Sequence, residues 1–313
     1  MTKNISEIKE YYMQIREYLD TLIIGEEHAK TVIALALLST KNCRILMSGK
    51  PGTGKTTLSN SIAKNFKSKK IFMTSDLLPI DILNTIKNGG EPDVLQFEEL
   101  NRSSDKAQSS LIEILGSNEI TIDGVGTKFK EFYVMATQND TEVSGIFNTP
   151  QAVYDRFDVN LRFGSINEDE LEQILFEFRH NVTEAKFDLN HMCDITSKVI
   201  DEFEYSKEDR NVLMQAYKII RTAKYNDEDL FASSNIRGFQ FSNRIAALNA
   251  IVKDRVSKNT SWILPSDLGD YISNIFLHRI NQAVLKIHSP EAQREMDKIS
   301  DDILSLRREK KQR

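Results

Sequence analysis

Gly49-Lys50-Pro51-Gly52-Thr53-Gly54-Lys55-Thr56 is the stretch that decides the fold of this chain. It matches the pattern G-x-x-x-x-G-K-[ST] and lies between a short apolar segment, Arg44–Ser48, and a helical pattern over Thr57–Phe66. Glycines let the backbone N–H groups of such a loop turn toward phosphate oxygens, and the N-terminus of the next helix adds partial positive charge. The sequence therefore predicts a phosphate-binding loop between a strand and a helix.

The residues of this loop have separate expected roles. Lys55 is placed to reach the β- and γ-phosphates of a nucleotide, and the Thr56 hydroxyl is placed to ligate Mg²⁺. The other loop residues expected to contact the nucleotide are Gly49, Pro51, Gly52, Thr53, Gly54 and Thr57. A glycine-rich turn that binds nothing is the alternative, and the flanking strand and helix argue against it.

Two carboxylates follow another predicted strand. Val94–Phe97 is apolar and ends in Glu98-Glu99, which is followed by Leu100-Asn101-Arg102. Carboxylates at the carboxyl end of a strand beside a phosphate loop are placed to hold Mg²⁺ and to orient an attacking water. By position, Glu98 takes the metal role and Glu99 the catalytic role. Taken alone, the pair also fits a solvated strand end.

Three further polar residues are candidates for the same chemistry. Asn139 follows the predicted strand Phe132–Thr137, which places its amide at the same edge of the sheet. Arg156 follows a helical stretch, where it could complete the site of a neighbouring subunit, and Arg244 could face the phosphates from the second domain. Each is weak evidence alone, because such an Asn usually makes a turn and such an Arg a surface ion pair.

Apolar strands and helical patterns alternate in the first half of the chain. This alternation predicts an α/β domain over residues 1–164, with a short N-terminal helix and a parallel sheet covered by helices on both faces. The predicted strands are Arg44–Ser48, Lys70–Met73, Val94–Phe97 and Phe132–Thr137.

The pattern changes to helices alone after residue 164. Asn167 and Glu170 have the spacing of a capping box, and Pro265-Ser266-Asp267 is typical of a turn and cap before the last main helix. Further helical patterns lie near 190–204, 207–223, 242–256 and 266–283. We therefore predict a smaller, all-helical domain over residues 165–313.

Composition narrows the class of protein. With 40% apolar and 28% charged residues, the 313-residue chain can bury a sizeable core. A net charge of −5 argues against nucleic acid as the main partner, because proteins that neutralise phosphate backbones are usually basic. No apolar stretch is long enough to span a bilayer, and the two cysteines have neither disulfide nor zinc spacing. These features predict a cytoplasmic protein with no membrane segment.

The ordered set of motifs resembles MoxR-family AAA+ ATPases from about Ile23 to His278. The resemblance begins with Ile24-Gly25 and the phosphate loop. It continues through Asp76-Leu77-Leu78-Pro79, Asp81-Ile82, Glu99-Leu100-Asn101-Arg102, Gln108, Leu111, Glu113, Ala136-Thr137-Gln138-Asn139, Asp155-Arg156-Phe157, Ser242-x-Arg244 and Pro265-Ser266-Asp267. Several motifs in the right order are much harder to obtain by chance than one.

The resemblance implies roles for individual residues. It implies that Ile24 and Gly25 flank the adenine, that Asn139 is sensor 1, that Arg156 is the arginine finger and that Arg244 is sensor 2. It also implies that Glu119–Phe132 is the β-hairpin before sensor 1, and Asp123-Gly124 independently indicates a hairpin turn there.

The resemblance further implies an activity and an assembly. It implies an AAA+ core with a helical lid that hydrolyses ATP with Mg²⁺ at the subunit interfaces of a ring, a hexamer by analogy. Such a ring would remodel or activate a protein client in the manner of a chaperone, and the client expected from the family carries a von Willebrand factor A domain.

Two departures from the family pattern keep alternatives open. Glu98 stands where the family usually has Asp, which moves the carboxylate by roughly 1.5 Å and alters the metal geometry. The stretch from Ile82 to Phe97 is also shorter than is usual in the family. A nucleotide-gated scaffold with little turnover is therefore one alternative. The motor subunit of a defence or restriction complex that acts on nucleic acid, with GTP in place of ATP, is another, because such subunits share the phosphate loop and the Glu-x-Asn-Arg turn.

Overall fold

The computed structural model describes residues 2–140, 147–164, 167–177, 188–231, 236–256, 263–287 and 289–306. The chain divides into two compact units. The helical unit comprises Met1–Gln14, Ala34–Thr40 and Leu189–Arg313, and the α/β unit comprises Ile15–Ile33 and Lys41–Asp188. The domain boundary expected between residues 164 and 165 stays a prediction.

Helices and strands alternate through the first half of the chain, as the sequence predicts. In chain order they are α1 (Thr2–Asp20), α2 (Glu27–Ser39), β1 (Arg44–Gly49), α3 (Lys55–Ala63), β2 (Ser68–Phe72), α4 (Pro79–Lys87), β3 (Val94–Glu98), α5 (Asp105–Ser117), β4 (Glu119–Ile122), β5 (Val125–Lys128), β6 (Tyr133–Asn139), α6 (Gln151–Tyr154), β7 (Val159–Phe163) and α7 (Glu168–Glu172). The predicted short N-terminal helix is 19 residues long.

A five-stranded parallel sheet forms the centre of the α/β unit. Its strand order is β2-β3-β6-β1-β7, and every neighbouring pair is parallel. All residues of β1 and β3 are buried, which is expected of parallel strands whose two faces are both covered by helices. The carboxyl ends of β1, β3 and β6 therefore meet at one edge of the sheet, and the predicted α/β fold is confirmed.

Two local predictions are confirmed, one by backbone geometry and one by hydrogen bonds. The strands β4 and β5 pair as an antiparallel hairpin, and Asp123 and Gly124 between them both have positive φ, as a two-residue turn of this kind requires. At the start of α7, the Asn167 side chain accepts a bond from the Glu170 N–H, while the Glu170 side chain accepts one from the Asn167 N–H. This is the expected capping box.

The second half of the chain consists mainly of helices. They are α8 (Leu189–Asp201), α9 (Lys207–Arg221), α10 (Ile236–Val252), α11 (Ser266–Gly269), α12 (Ile272–Phe276) and α13 (Pro290–Leu304), with a two-residue ladder between β8 (Lys224–Tyr225) and β9 (Glu228–Asp229). Within the described ranges, no helix is long and apolar enough to span a membrane.

The helical segment predicted over 266–283 is not one continuous helix, because the chain there forms α11, α12 and a short 3-10 helix at Leu277–Arg279. Gly269 ends α11, and its carbonyl accepts a hydrogen bond from the Ser300 hydroxyl of α13. A Cβ at Gly269 would lie 2.7 Å from the Leu304 side chain, so only glycine permits this close packing. A contact with a later helix therefore interrupts the helical pattern.

The last main helix is α13, which the sequence analysis missed. Ser289 caps its N-terminus by accepting a bond from the Ala292 N–H, and Pro290 occupies its first turn. Both signals are present in the sequence. The buried residues of α13 are Ala292, Met296, Ile299 and Ile303, and their helical spacing forms one apolar stripe.

Candidate nucleotide-binding site

The predicted phosphate loop joins β1 to α3, at the carboxyl edge of the sheet. Three of its glycines, Gly49, Gly52 and Gly54, have positive φ of 143°, 78° and 88°. Gly54 immediately precedes α3, whose first residue is Lys55. The loop thus has the backbone turn and the helix N-terminus that a phosphate requires.

Gly49 is the loop position where a side chain would do most damage. A Cβ there would lie 2.5 Å from the Phe163 carbonyl oxygen on β7, whereas a Cβ at Gly52 would meet no atom within 4 Å. We expect Gly49→Ala to lower the free energy of unfolding by about 3 kcal/mol, and Gly52→Ala, the control with a positive φ but no clash, by about 1 kcal/mol. Urea denaturation checks this, and equal losses would contradict it.

Lys55 is held inside the loop by the backbone. Its ammonium donates to the carbonyls of Gly49 and Lys50 at 2.9 and 2.6 Å and to the Thr53 hydroxyl at 3.3 Å. Burial lowers the pKa of Lys55, and the negative charge of Asp140 partly opposes that shift. The loop therefore concentrates a positive charge where phosphate oxygens are expected.

Glu98 is buried at the end of β3, next to the loop. Its Oε2 atom accepts hydrogen bonds from the hydroxyls of Thr56, at 3.0 Å, and Thr137, at 2.7 Å. Its Oε1 atom is buried and has no hydrogen-bond partner among the described residues. A hydroxyl and an incompletely satisfied carboxylate are ligands that suit Mg²⁺, so the residues present fit the predicted metal site.

Glu99 adopts the left-handed backbone conformation, with φ of 59°, directly after β3. Its N–H donates to the Thr137 hydroxyl at 3.2 Å, and its carboxylate pairs with Arg102 at 2.6 Å. Positive φ is uncommon for residues other than glycine, and the exceptions cluster at functional sites. The Thr137 hydroxyl thus contacts the carboxylate of Glu98 and the backbone of Glu99.

Asn139 lies beside the first residue of the loop. In the parallel register of β1 and β6, Gly49 is opposite Asn139. The Asn139 carbonyl accepts a bond from the Asn101 side chain at 2.9 Å, so the turn after Glu99 is tied to the end of β6. The structure therefore brings Lys55, Glu99 and Asn139 to one edge of the sheet.

The turn before α2 also reaches the loop. Gly25 has φ of 69°, and the Glu170 side chain lies where a Cβ of residue 25 would be. The Ile23 side chain lies 3.9 Å from a Cβ placed on Gly54. Ile23, which precedes the predicted adenine-flanking residues Ile24 and Gly25, thus lies beside the loop within the same unit.

Glu26, which the sequence analysis did not single out, shares this turn. It accepts a hydrogen bond from the Gly164 N–H at 3.2 Å. Burial raises the pKa of Glu26, and the charge of Glu170 adds to the increase. No sequence motif marks these two carboxylates as neighbours, because they come together only in the fold.

Arg156 lies after α6 and packs against the last turn of α5. Its Nε atom is 3.3 Å from a Cβ placed on Gly116, and its N–H donates to the Val153 carbonyl. The side chain is half-buried. Its role as an arginine finger stays a prediction.

Arg244 belongs to the helical unit, on α10. Its guanidinium donates twice to the Ser39 carbonyl, at 3.1 and 2.8 Å, and once to the Ser197 hydroxyl at 3.2 Å. Ser39 is the last residue of α2, where a cation stabilises the helix dipole. This contact explains the position of the side chain within its unit, and the sensor 2 role stays a prediction.

Comparison with known proteins finds a family model that matches part of the chain. Residues 44–159 match the model of the AAA family, described as the ATPase family associated with various cellular activities. This segment is similar to the ATPase domains of that family. It spans every strand of the sheet from β1 to the start of β7, together with the phosphate loop, Glu98, Glu99 and Asn139.

Individual relatives agree with this match. The chain is 33% identical over 170 residues to the uncharacterised protein YeaC of Bacillus subtilis, covering 49% of this chain and 52% of YeaC. It is 30% identical over 180 residues to the chaperone MoxR1 of Mycobacterium tuberculosis, covering 53% of this chain and 47% of MoxR1. The chain thus spans about half the length of these relatives, and the predicted resemblance to MoxR-family AAA+ ATPases is confirmed.

A solved structure extends the likeness of fold. The crystal structure of an ATPase candidate from Cytophaga hutchinsonii covers 97% of this chain and 96% of its own, with a TM-score of 0.72 and 22% sequence identity. At that identity the likeness concerns the fold alone. The α/β unit and the helical C-terminal region therefore each have a fold already observed in another protein.

The sequence analysis missed one residue of the α/β unit that lies close to the predicted metal ligand. Lys70, on β2, has its ammonium 3.6 Å from Glu98 Oε1. The sequence does show that Lys70 and Phe72 are two residues apart, which puts their side chains on the same face of the strand. The pairing register needed to relate that face to Glu98 cannot be obtained from the sequence.

Proposed function

We propose that this chain is a MoxR-like AAA+ ATPase that hydrolyses ATP with Mg²⁺ at the subunit interfaces of a ring, and thereby remodels a protein client. The observation that carries the proposal is the grouping of Lys55, Thr56, Glu98 and Glu99 at one sheet edge, where hydroxyls of Thr56 and Thr137 bond Glu98. Residues of these types in this arrangement suit phosphoryl transfer to water.

The phosphate loop provides binding. Backbone N–H groups at the glycine turns and at the start of α3 would surround the phosphates, and Lys55 would exchange its carbonyl partners for phosphate oxygens. Since burial already disfavours the charged lysine, an anion beside it restores a favourable environment. The Gly25 turn would contact the base.

The two carboxylates would divide the chemistry. Thr56 and Glu98 would hold Mg²⁺, which would offset charge on the phosphates. Glu99, only half-buried, would accept a proton from the attacking water, and Asn139 would help to position that water. The left-handed backbone at Glu99 supports this division, because it turns the second carboxylate away from the strand direction that Glu98 follows.

A ring would complete the site. Arg156 would stabilise charge on the γ-phosphoryl group bound by a neighbouring subunit, and a contact repeated head to tail closes into a cyclic assembly. We expect a hexamer in the cytoplasm. The name of MoxR1 as a chaperone supports a protein client, and we propose one with a von Willebrand factor A domain.

A scaffold that binds nucleotide with little turnover is the second candidate. Glu98 in place of Asp favours the scaffold, because Oε2 of the longer side chain accepts both threonine hydrogen bonds while Oε1 stays buried. The scaffold predicts nucleotide-dependent assembly with a hydrolysis rate that does not depend on Glu99.

Steady-state hydrolysis of ATP and GTP, followed beside light scattering, tests the proposal. We expect the purified chain to hydrolyse ATP in preference to GTP and to assemble when nucleotide is present. Assembly with turnover no faster than that of Glu99→Gln would contradict the motor and favour the scaffold. Turnover of GTP with salt-sensitive DNA binding would contradict the protein-client proposal.

Arg156→Ala is expected to slow ATP hydrolysis about 10²-fold while nucleotide affinity changes little, because the arginine acts on charge that develops in the transition state. The rate of phosphate release and the binding of a fluorescent ATP analogue measure the two effects. Arg221→Ala, which removes an exposed arginine from α9, is the control and should retain the full rate. A normal rate for Arg156→Ala would exclude the finger role.

A further inference from the structure

A polar layer lies between the sheet and α3, and it extends from the phosphate loop to the outer strand. Lys70 and Gln96 are opposite each other in the register of β2 and β3, and Phe72 is opposite Glu98. The Gln96 amide donates to Ser59 at 2.8 Å and to Asn60 at 3.2 Å. Residues on this face therefore connect the outer strand, β2, with Glu98.

Lys70 is the cationic end of this layer. Its ammonium lies 3.6 Å from Glu98 Oε1, donates to the Asn60 side-chain oxygen, and lies 5.7 Å from the centre of the Phe72 ring. The Lys70 side chain is 29% exposed, whereas that of Glu98 is 4% exposed. The lysine can thus reach a buried carboxylate while keeping contact with water and with two other partners.

The two oxygens of Glu98 have different surroundings. Oε2 accepts hydrogen bonds from the hydroxyls of Thr56 and Thr137, whereas Oε1 has no hydrogen-bond partner in the described part of the chain and lies 3.6 Å from the Lys70 ammonium. A metal ion held through this carboxylate would therefore share it with an ammonium group. Two cations on one carboxylate repel each other, and the repulsion is strong where burial limits screening by water.

We propose that Lys70 is a positioning residue that orients Glu98 and weakens the hold of the site on the divalent cation. The Lys70 ammonium and the metal ion compete for the negative charge of Glu98. When the metal binds, the ammonium keeps its contacts with Asn60 and the Phe72 ring. The extra methylene of Glu98 brings Oε1 within reach of β2, so the departure from Asp and the lysine act together. This inference rests on the proposed function, because it concerns the cation of the same nucleotide site.

Binding of Mn²⁺ tests the proposal without relying on turnover. Mn²⁺ is titrated into the full chain with a saturating non-hydrolysable ATP analogue, and free Mn²⁺ is measured by electron paramagnetic resonance. Removal of the competing charge in Lys70→Met is expected to lower the dissociation constant of Mn²⁺ roughly 3- to 10-fold. Lys70→Arg, which keeps the charge, should bind Mn²⁺ as the wild type does.

Lys69→Met is the matched control. Lys69 is the neighbouring residue of β2, it points to the other face, and its ammonium donates to the Asn88 carbonyl. Its removal takes the same charge from the same strand and should leave Mn²⁺ affinity unchanged. A merely structural role for Lys70 would change the melting temperature without tightening Mn²⁺ binding.

Three results would overturn the inference. Equal or weaker Mn²⁺ binding by Lys70→Met would show that the lysine does not compete with the metal, and an equal gain in Lys69→Met would reduce the effect to net charge. In both cases the nucleotide site itself would stand. Failure of the wild type to bind the ATP analogue would instead overturn the proposed function and this inference with it.

Discussion

Lys55→Ala is expected to weaken nucleotide binding about 10²- to 10³-fold and to bring ATP hydrolysis below detection. The lysine is buried in the loop and donates to the carbonyls of Gly49 and Lys50, so its ammonium cannot leave the region where phosphates bind. Loss of the charge removes the main electrostatic attraction for the β- and γ-phosphates. Titration with a fluorescent ATP analogue and a phosphate-release assay measure the two effects.

Lys50→Ala is the matched control for this prediction. Lys50 lies in the same loop, its side chain is exposed, and its contribution to the Lys55 site is a backbone carbonyl that alanine retains. The variant should bind and hydrolyse ATP within about twofold of the wild type, because water and salt screen an exposed charge. Equal losses in Lys50→Ala and Lys55→Ala would mean that loop charge in general, and not Lys55, attracts the nucleotide.

Glu99→Gln is expected to slow ATP hydrolysis about 10³-fold while it leaves nucleotide affinity unchanged or higher. The amide keeps the size of the side chain and a hydrogen bond with Arg102, but it cannot accept a proton from water. Single-turnover hydrolysis, measured beside equilibrium binding, separates the chemical step from binding.

Glu131→Gln provides the control for this loss of charge. Glu131 is an exposed carboxylate in the segment that leads into β6. The Glu131→Gln variant should have the same rate of ATP hydrolysis and the same nucleotide affinity as the wild type. A Glu99→Gln rate close to that of the wild type would assign the proton transfer to another group and would favour the scaffold.

The sequence predicted those parts of the fold that depend on local chemistry. The loop from Gly49 to Thr56, the hairpin turn at Asp123-Gly124 and the capping box of Asn167 each follow from residues close together in the chain. Buried strands followed by polar residues likewise indicated the sheet edge. Such features carry their structural signal within a few residues.

Contacts between distant segments could not be predicted in this way. The end of α11 at Gly269 depends on a contact with Ser300 of α13. The position of the Lys70 ammonium beside Glu98 depends on the strand register. Neither follows from propensity, since each is decided by packing against an element whose position is unknown from one sequence. The same holds for Glu170 against Gly25.

The roles of the individual site residues stay predictions, whereas the position of several of them follows from the topology of the sheet. The structure brings Lys55, Glu98 and Asn139 to one edge, because carboxyl ends of parallel strands meet there. Arg156 and Arg244 were inferred from family likeness, and the contacts of each within its own unit do not require a nucleotide.

Mixing two inactive variants shows whether each site is shared between subunits. Glu99→Gln retains Arg156, and Arg156→Ala retains Glu99, so a mixed ring contains interfaces that have both residues intact. We predict that equimolar mixing of the two variants restores a substantial fraction of wild-type ATP hydrolysis. A mixture that stays as inactive as its components, although light scattering shows that the variants assemble together and both bind nucleotide, would contradict the account.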